Sequence, residues 1–242
     1  MEEDLKIARQ IQQGLLPLQL PDIPAYELAA INLPSRQVGG DYYDVIPLDE
    51  HRFVIAIGDV SGKGTPAALL MSNVQASLRA LAPLGGTLPS TTKRINDLTC
   101  KNTGGDKFIT LIWGILDPSQ HLFRYVNAGH NHPFLLRQDG TVERLSAGGL
   151  ILGMMTTAGP YEEGTVAIGR GDVLFFFTDG VSEAMNGRDE DFTEERLDAV
   201  LRSLRGASVS EVIDSVEKSV SDHVGEAPQA DDLTMLALKR LA

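Results

Sequence analysis

Four short stretches of this 242-residue chain set aspartate against an apolar, strand-like run and beside glycine or a turn: Gly39-Gly40-Asp41-Tyr42-Tyr43-Asp44, Gly58-Asp59-Val60-Ser61-Gly62, Phe177-Thr178-Asp179-Gly180 and Ala230-Asp231-Asp232-Leu233-Thr234. A carboxylate at the end of a strand is held firmly, and a neighbouring glycine lets backbone approach closely. That is what an oxygen-ligand site for Mg²⁺ or Mn²⁺ requires, since these hard cations take carboxylates, a carbonyl and waters. Any one stretch alone reads better as an ordinary turn. His130 and His132 form a His-x-His pair, but no cysteine or further histidine stands near to complete a zinc set, so a structural or rim role is expected. Tyr42 and Tyr43 point to opposite faces of a strand, which predicts one in the core and one toward the site.

These residues need elements to position them. Leu5, Ala8, Ile11 and Leu15 recur at steps of three and four, predicting a helix over residues 4–16 with these four on one face, ended by Pro17 and Pro21. Strand-like runs follow at residues 26–32, 42–48 and 53–60, the last two forming a hairpin around Asp49-Glu50-His51. Thr65-Pro66 reads as a cap and a first-turn proline for a helix to about residue 81. After the Gly/Pro loop at residues 83–89, a second helix is predicted near residues 90–102. Strands are then expected at residues 108–116, 122–127, 134–137, 142–145, 162–168 and 173–177, divided by turns such as Asp117-Pro118 and Asp139-Gly140. Helices at residues 193–204 and 208–224 follow, the second opening with Ser208 and Glu211 at capping-box spacing, and a last strand covers residues 232–239. Blocks of antiparallel strands with two pairs of helices predict an α+β layered sandwich rather than alternating βαβ units. Residues 1–20 read as an N-terminal helix with its linker, and residues 21–242 as one domain.

Composition narrows the function. With 21 Lys+Arg against 33 Asp+Glu the net charge is −12, and no more than two basic residues are adjacent, so nucleic acid is not an expected partner. The single Cys100 forms no internal disulfide. Apolar runs such as Val173 to Phe177 fall far short of the roughly 20 residues that a membrane span needs. Met1 is followed by Glu2, Glu3 and Asp4 rather than by a basic and then an apolar segment, so a cytoplasmic protein with no membrane partner is expected.

In their order along the chain, the acidic stretches and the segments between them resemble the metal-dependent PPM-type protein serine/threonine phosphatases, specifically the bacterial SpoIIE-type branch that controls sigma-factor pathways. The resemblance spans nearly the whole chain. It includes the leader Ala8-Arg9-Gln10-Ile11-Gln12-Gln13-Gly14-Leu15-Leu16-Pro17, the Asp41 and Asp59 stretches, and Pro66-Ala67-Ala68-Leu69-Leu70-Met71. It continues through Tyr125-Val126-Asn127-Ala128-Gly129-His130-Asn131, Thr178-Asp179-Gly180-Val181-Ser182-Glu183-Ala184 and Asp231-Asp232-Leu233-Thr234.

The resemblance implies a four-layer αββα sandwich of two antiparallel sheets flanked by helix pairs. It implies two Mn²⁺ or Mg²⁺ ions, bridged by Asp59, completed by the Val60 carbonyl, and held further by Asp179, Asp231 and Asp41. Such an ion pair lowers the pKa of a shared water, which attacks phosphorus in line. Asp232 is implied as a support for the ligands, and Arg36, five residues before Asp41, as a phosphate-gripping guanidinium, with a solvated loop arginine as the competing reading. Two positions depart from the wider superfamily: Ser61 stands where many members place a histidine acid, and His130 where many place an aspartate for a third ion. The implied substrate is a phosphorylated anti-anti-sigma (STAS-type) protein. The apolar stripe of the leader helix is read either as docking on its own core or as a homodimer contact, and because in relatives this helix often joins a sensor to the phosphatase, the resemblance suggests regulation. Two rival readings stand beside this one. Gly39 to Tyr43 also resembles the hairpin of diguanylate cyclases, which leaves Asp59, Asp179 and Asp231 unexplained, and a degenerate phosphatase fold would serve as a binding module.

Overall fold

The computed structural model describes residues 2–103, 106–156 and 159–241. The chain forms two compact units, each assembled from separated segments. The first holds the N-terminal segment to Pro21, Arg36–His130 and Ser146–Ala167; the second holds Asp22–Ser35, Asn131–Leu145 and Ile168–Ala242.

In the first unit, helix α1 (Glu2–Leu15) precedes the hairpin of strands β2 (Tyr42–Pro47) and β3 (Phe53–Val60). Helices α2 (Thr65–Leu81) and α3 (Leu88–Thr103) come next, then strands β4 (Ile109–Asp117), β5 (Leu122–Ala128), β8 (Gly148–Gly149) and β9 (Gly164–Ala167). The sheet runs β2-β3-β4-β5-β8, with β9 also pairing with β5. It is antiparallel except for the short β5–β8 pairing. One core joins this sheet to α2 and α3 through Val54, Ala56, Met71, Val74, Leu78, Ile95, Leu111 and Trp113. The Trp113 indole N–H, which burial would otherwise leave unpaired, donates to Thr92 Oγ1 at 2.8 Å.

The second unit is built on strands β1 (Tyr26–Leu33), β6 (Phe134–Leu136), β7 (Val142–Arg144), β10 (Val173–Phe177) and β11 (Leu233–Arg240), in the antiparallel order β1-β11-β10-β6-β7. Helices α4 (Asp179–Ser182), α5 (Glu194–Ser203) and α6 (Val209–Val224) complete it. Phe134, Phe175 and Phe177 pack with Leu197, Leu201, Val212 and Val216 of α5 and α6. The β10 run of five apolar residues is buried throughout, as a central strand must be. Each unit is thus a sheet backed by a pair of long helices, which gives the α+β class.

Several local expectations change. On α1, Ile11 is 63 % exposed, and Gln12 is the buried residue of that turn because its amide meets backbone donors and acceptors instead of a hydrocarbon surface. Thr65 lies inside α2; Gly64 is the cap, and its carbonyl accepts the Ala68 N–H at 3.0 Å. The capping box of α6 forms as expected, with Ser208 and Glu211 each bonding the other's backbone N–H. Both Tyr42 and Tyr43 are buried.

Candidate metal centre

The first unit positions Asp41 and Asp59 by different means. Asp41 is buried in the segment that leads into β2, and Asp59 is the penultimate residue of β3, where the ladder to Thr110 fixes its backbone. Gly40 brings the two stretches together. A Cβ at Gly40 would stand 2.9 Å from the Val60 carbonyl oxygen and 3.4 Å from Asp59 Oδ1, so only glycine leaves both oxygens where they are. The Gln12 amide holds the residue before it, donating to the Gly39 carbonyl at 2.7 Å and accepting the Gly39 N–H at 3.0 Å. No periodicity argument singles out this glutamine, because a polar residue in an apolar stripe reads as exposed.

The second unit supplies the other pair. Thr178 closes the ends of β10 and β11, its N–H donating to the Thr234 carbonyl and its hydroxyl accepting the Thr234 N–H. Asp179 then opens the single helical turn α4. Gly180 packs on the Asp232 carbonyl and toward Asp231 Cβ, with no room for a side chain. Asp231 accepts the Asp232 N–H at 2.8 Å. The buried Asp232 carboxylate accepts from both the N–H and the hydroxyl of Ser35, at 2.7 and 2.9 Å. Gln229, which sequence reasoning missed, donates to the carbonyls of Leu33 and Asp231.

Asp44 belongs to the same stretch as Asp41 but has a different task. Wholly buried, it accepts from Arg79 Nε and Nη2 at 2.7 and 3.0 Å and from the Tyr42 hydroxyl at 2.8 Å. Burial, and then the Asp44 charge, push the Tyr42 phenol well above its ordinary range, while the bond to Asp44 raises Arg79 further. Arg36 is exposed, and its guanidinium lies beside Gly64 at the start of α2: a Cβ there would stand 3.7 Å from Nη1. Ser61 uses its hydroxyl to accept the Phe108 N–H at 3.0 Å. His130 is buried, with Nδ1 2.9 Å from Thr110 Oγ1 and its backbone bracketed by the Asn127 amide. His132 is exposed, and its carbonyl accepts from Arg144.

Among the described residues no three His, Cys, Asp or Glu side chains are gathered as a ready metal-ligand set. The donors come instead in two constrained pairs, one per unit, each packed on a glycine. They are carboxylates and a backbone carbonyl, without sulfur or imidazole, so their chemistry fits hard divalent cations such as Mg²⁺ and Mn²⁺.

Over 98 % of this chain and 96 % of the other, the fold superposes on the SiaA-PP2C domain of Pseudomonas aeruginosa with a TM-score of 0.84 at 20 % identity. The fold is therefore that of the PP2C or PPM-type phosphatases. The profile of the SpoIIE family, Stage II sporulation protein E, matches residues 49–241. The chain is 31 % identical to phosphoserine phosphatase RsbU of Bacillus subtilis, across 99 % of its own length and 71 % of RsbU. It is 32 % identical to protein IcfG of Synechocystis, across 98 % of its own length but only 41 % of IcfG. The chain belongs to the SpoIIE family, in the RsbU-type branch of the PPM phosphatases. The run Gly39 to Tyr43 leads into and opens β2 rather than forming the hairpin turn, which lies at Leu48 to Arg52, so the cyclase reading falls away.

Proposed function

We propose that this chain is a Mn²⁺- or Mg²⁺-dependent phosphatase that hydrolyses phosphoserine or phosphothreonine on a partner protein of the anti-anti-sigma, STAS type. The observation that carries the reading is the glycine-packed pair of Asp59 and the Val60 carbonyl beside Gly40, together with Asp231 packed against Gly180, in a chain of the SpoIIE family. Under it the ligands of two ions are Asp41, Asp59, the Val60 carbonyl, Asp179 and Asp231. Asp232 fixes Asp231 and the Ser35 loop in place, a role that its two bonds to Ser35 support. When bound, the ions supply Lewis acidity toward phosphoryl oxygens and acidify a water. The protein's own part is to hold the carboxylates of each unit in place and to orient the phosphate, for which Arg36 offers a two-pronged donor. Ser61 stands where many relatives place a histidine acid, and its hydroxyl oxygen accepts the Phe108 N–H; the proton for the leaving oxygen is assigned to no side chain.

Residues 21–242 make up the phosphatase domain in this reading, with residues 1–20 as its leader. Exposed Ile7 and Ile11 on α1 support the leader's use as a contact between two copies of the chain. No described helix is long and apolar enough to cross a membrane.

The test is phosphate release from an aryl phosphate and from a serine-phosphorylated STAS-type protein. Turnover is expected with Mn²⁺, none with chelator, and none from Asp59→Asn. Turnover that survives both chelator and Asp59→Asn would overturn the reading. Mn²⁺ binding without release from either substrate would instead favour a binding module.

A further inference from the structure

We propose that one end of the second unit is a docking site for an acidic segment of a partner protein. Four cations converge there from three separated segments: Arg170 in the turn before β10, Arg205 in the α5–α6 connection, and Lys239 and Arg240 at the end of β11. They line a depression of about 580 Å³ to which no acidic side chain contributes. In a chain of net charge −12 such a concentration is out of character, and four like charges this close repel unless an anion sits among them.

The neighbouring charges do not neutralise the cluster. Arg137 is taken by Glu143 and Asp172, and Arg202 by Asp198. Glu211, whose carboxylate accepts the Ser208 N–H and hydroxyl, also faces Lys239 and offsets part of that one charge. Lys239 donates to the carbonyls of Gly206 and Ala207, and Arg240 to that of Ile168, so both are fixed in place by backbone. Arg170 and Arg205 are exposed and form no ion pair among the described residues. Two exposed guanidinium forks in the same depression as two pinned cations suit carboxylates.

A second feature selects a peptide over a simple anion. A cavity of about 30 Å³, with Leu136, Val173 and Leu201 in its wall, adjoins the depression and shares Gly171, Arg205 and Gly206 with it. That volume takes a methyl-sized group. A segment that alternates acidic and small apolar residues would therefore satisfy the charges and fill the pit together.

This inference does not depend on the metal centre. The experiment is fluorescence anisotropy of a labelled Glu/Val-alternating peptide against the full chain, with the Gln/Val peptide, inorganic phosphate and a single-stranded oligonucleotide as comparisons. The Glu/Val peptide is expected to bind, to weaken as salt rises, and to lose at least about tenfold in affinity on R170E/R205E, while the Gln/Val peptide does not bind. R170Q/R205Q carries the same comparison if charge reversal unfolds the chain, and unchanged aryl phosphate turnover serves as the control for folding. Equal affinity of parent and variant would overturn the proposal. So would displacement of the peptide by phosphate or oligonucleotide at lower concentration than by the unlabelled peptide.

Discussion

At the scale of single residues, backbone company rather than charge separates the proposed ligand aspartates from the other acids. Asp41 and Asp44 sit three apart in one motif, yet Asp44 is committed to Arg79 and Tyr42, whereas Asp41 follows a glycine that touches Asp59 and Val60. Gly40→Ala would push its methyl group against the Val60 carbonyl at 2.9 Å and so displace a donor. It is expected to weaken Mn²⁺ binding in a calorimetric titration while leaving the far-UV spectrum unchanged, and parent-like affinity would count against Val60 as a ligand. Asp232→Ala releases Ser35 from both of its bonds, and orienting partners of this kind are worth roughly 10–100-fold in metal affinity or activity. A change below twofold in Mn²⁺-dependent turnover would make Asp232 a purely structural residue. The strand-end and glycine-flanked positions of the candidate aspartates were legible from the sequence. Gln12 and Gln229 were not, because their partners are carbonyls and an N–H that only the folded backbone brings within reach.

At the scale of elements, the Asp44–Arg79 pair ties β2 to α2 and so steadies the segment that carries Asp41. Breaking a buried pair by removing one partner costs about 3–5 kcal/mol, and Arg79→Leu should fall at the lower end because the arginine side chain is 45 % exposed. Urea denaturation would measure it, and a loss under about 1 kcal/mol would show that water replaces the guanidinium. The capping box is a separate device at the start of α6, and Ser208→Ala is expected to lower stability by about 1 kcal/mol with no effect on metal binding. Helices and strands were legible because their apolar periods are long: β10, β11, α2 and α6 lie within a residue or two of where the pattern puts them. The exceptions are short or set by tertiary contacts. Strand β8 is only two residues held by β5, α4 is a single turn, and Ile11 yields its inward place to a glutamine.

At the scale of the whole molecule, metal and pH act on stability in ways that can be measured. A cation that binds only the folded chain stabilises by about 2.7 kcal/mol at a hundredfold excess over its Kd, so Mn²⁺ should raise the melting temperature and Asp59→Asn should suppress the rise. In alkali, burial pushes the phenols of Tyr42 and Tyr161 up, Tyr161 to about 12. Both keep a proton in the folded chain where an unfolded tyrosine, near 10, has lost it. Stability is therefore complete below pH 10 and falls as the pH rises above it. Among the described residues the buried Tyr161 hydroxyl has no hydrogen-bond partner, so Tyr161→Phe should be neutral or stabilising at pH 7 and should lessen the alkaline loss, as melts at pH 8 and pH 11 would show. The sequence by itself determined the α+β class and the order of elements, and it marked out the strand-end aspartates as candidate oxygen donors, because periodicity and strand-end glycines are local properties of the chain. Only the tertiary structure decided which acids are engaged by arginine or serine, and only it gathered Arg170, Arg205, Lys239 and Arg240 into one patch. Those relations join residues up to about 200 positions apart, and a reading that saw no more than two adjacent basic residues had no local signal for them.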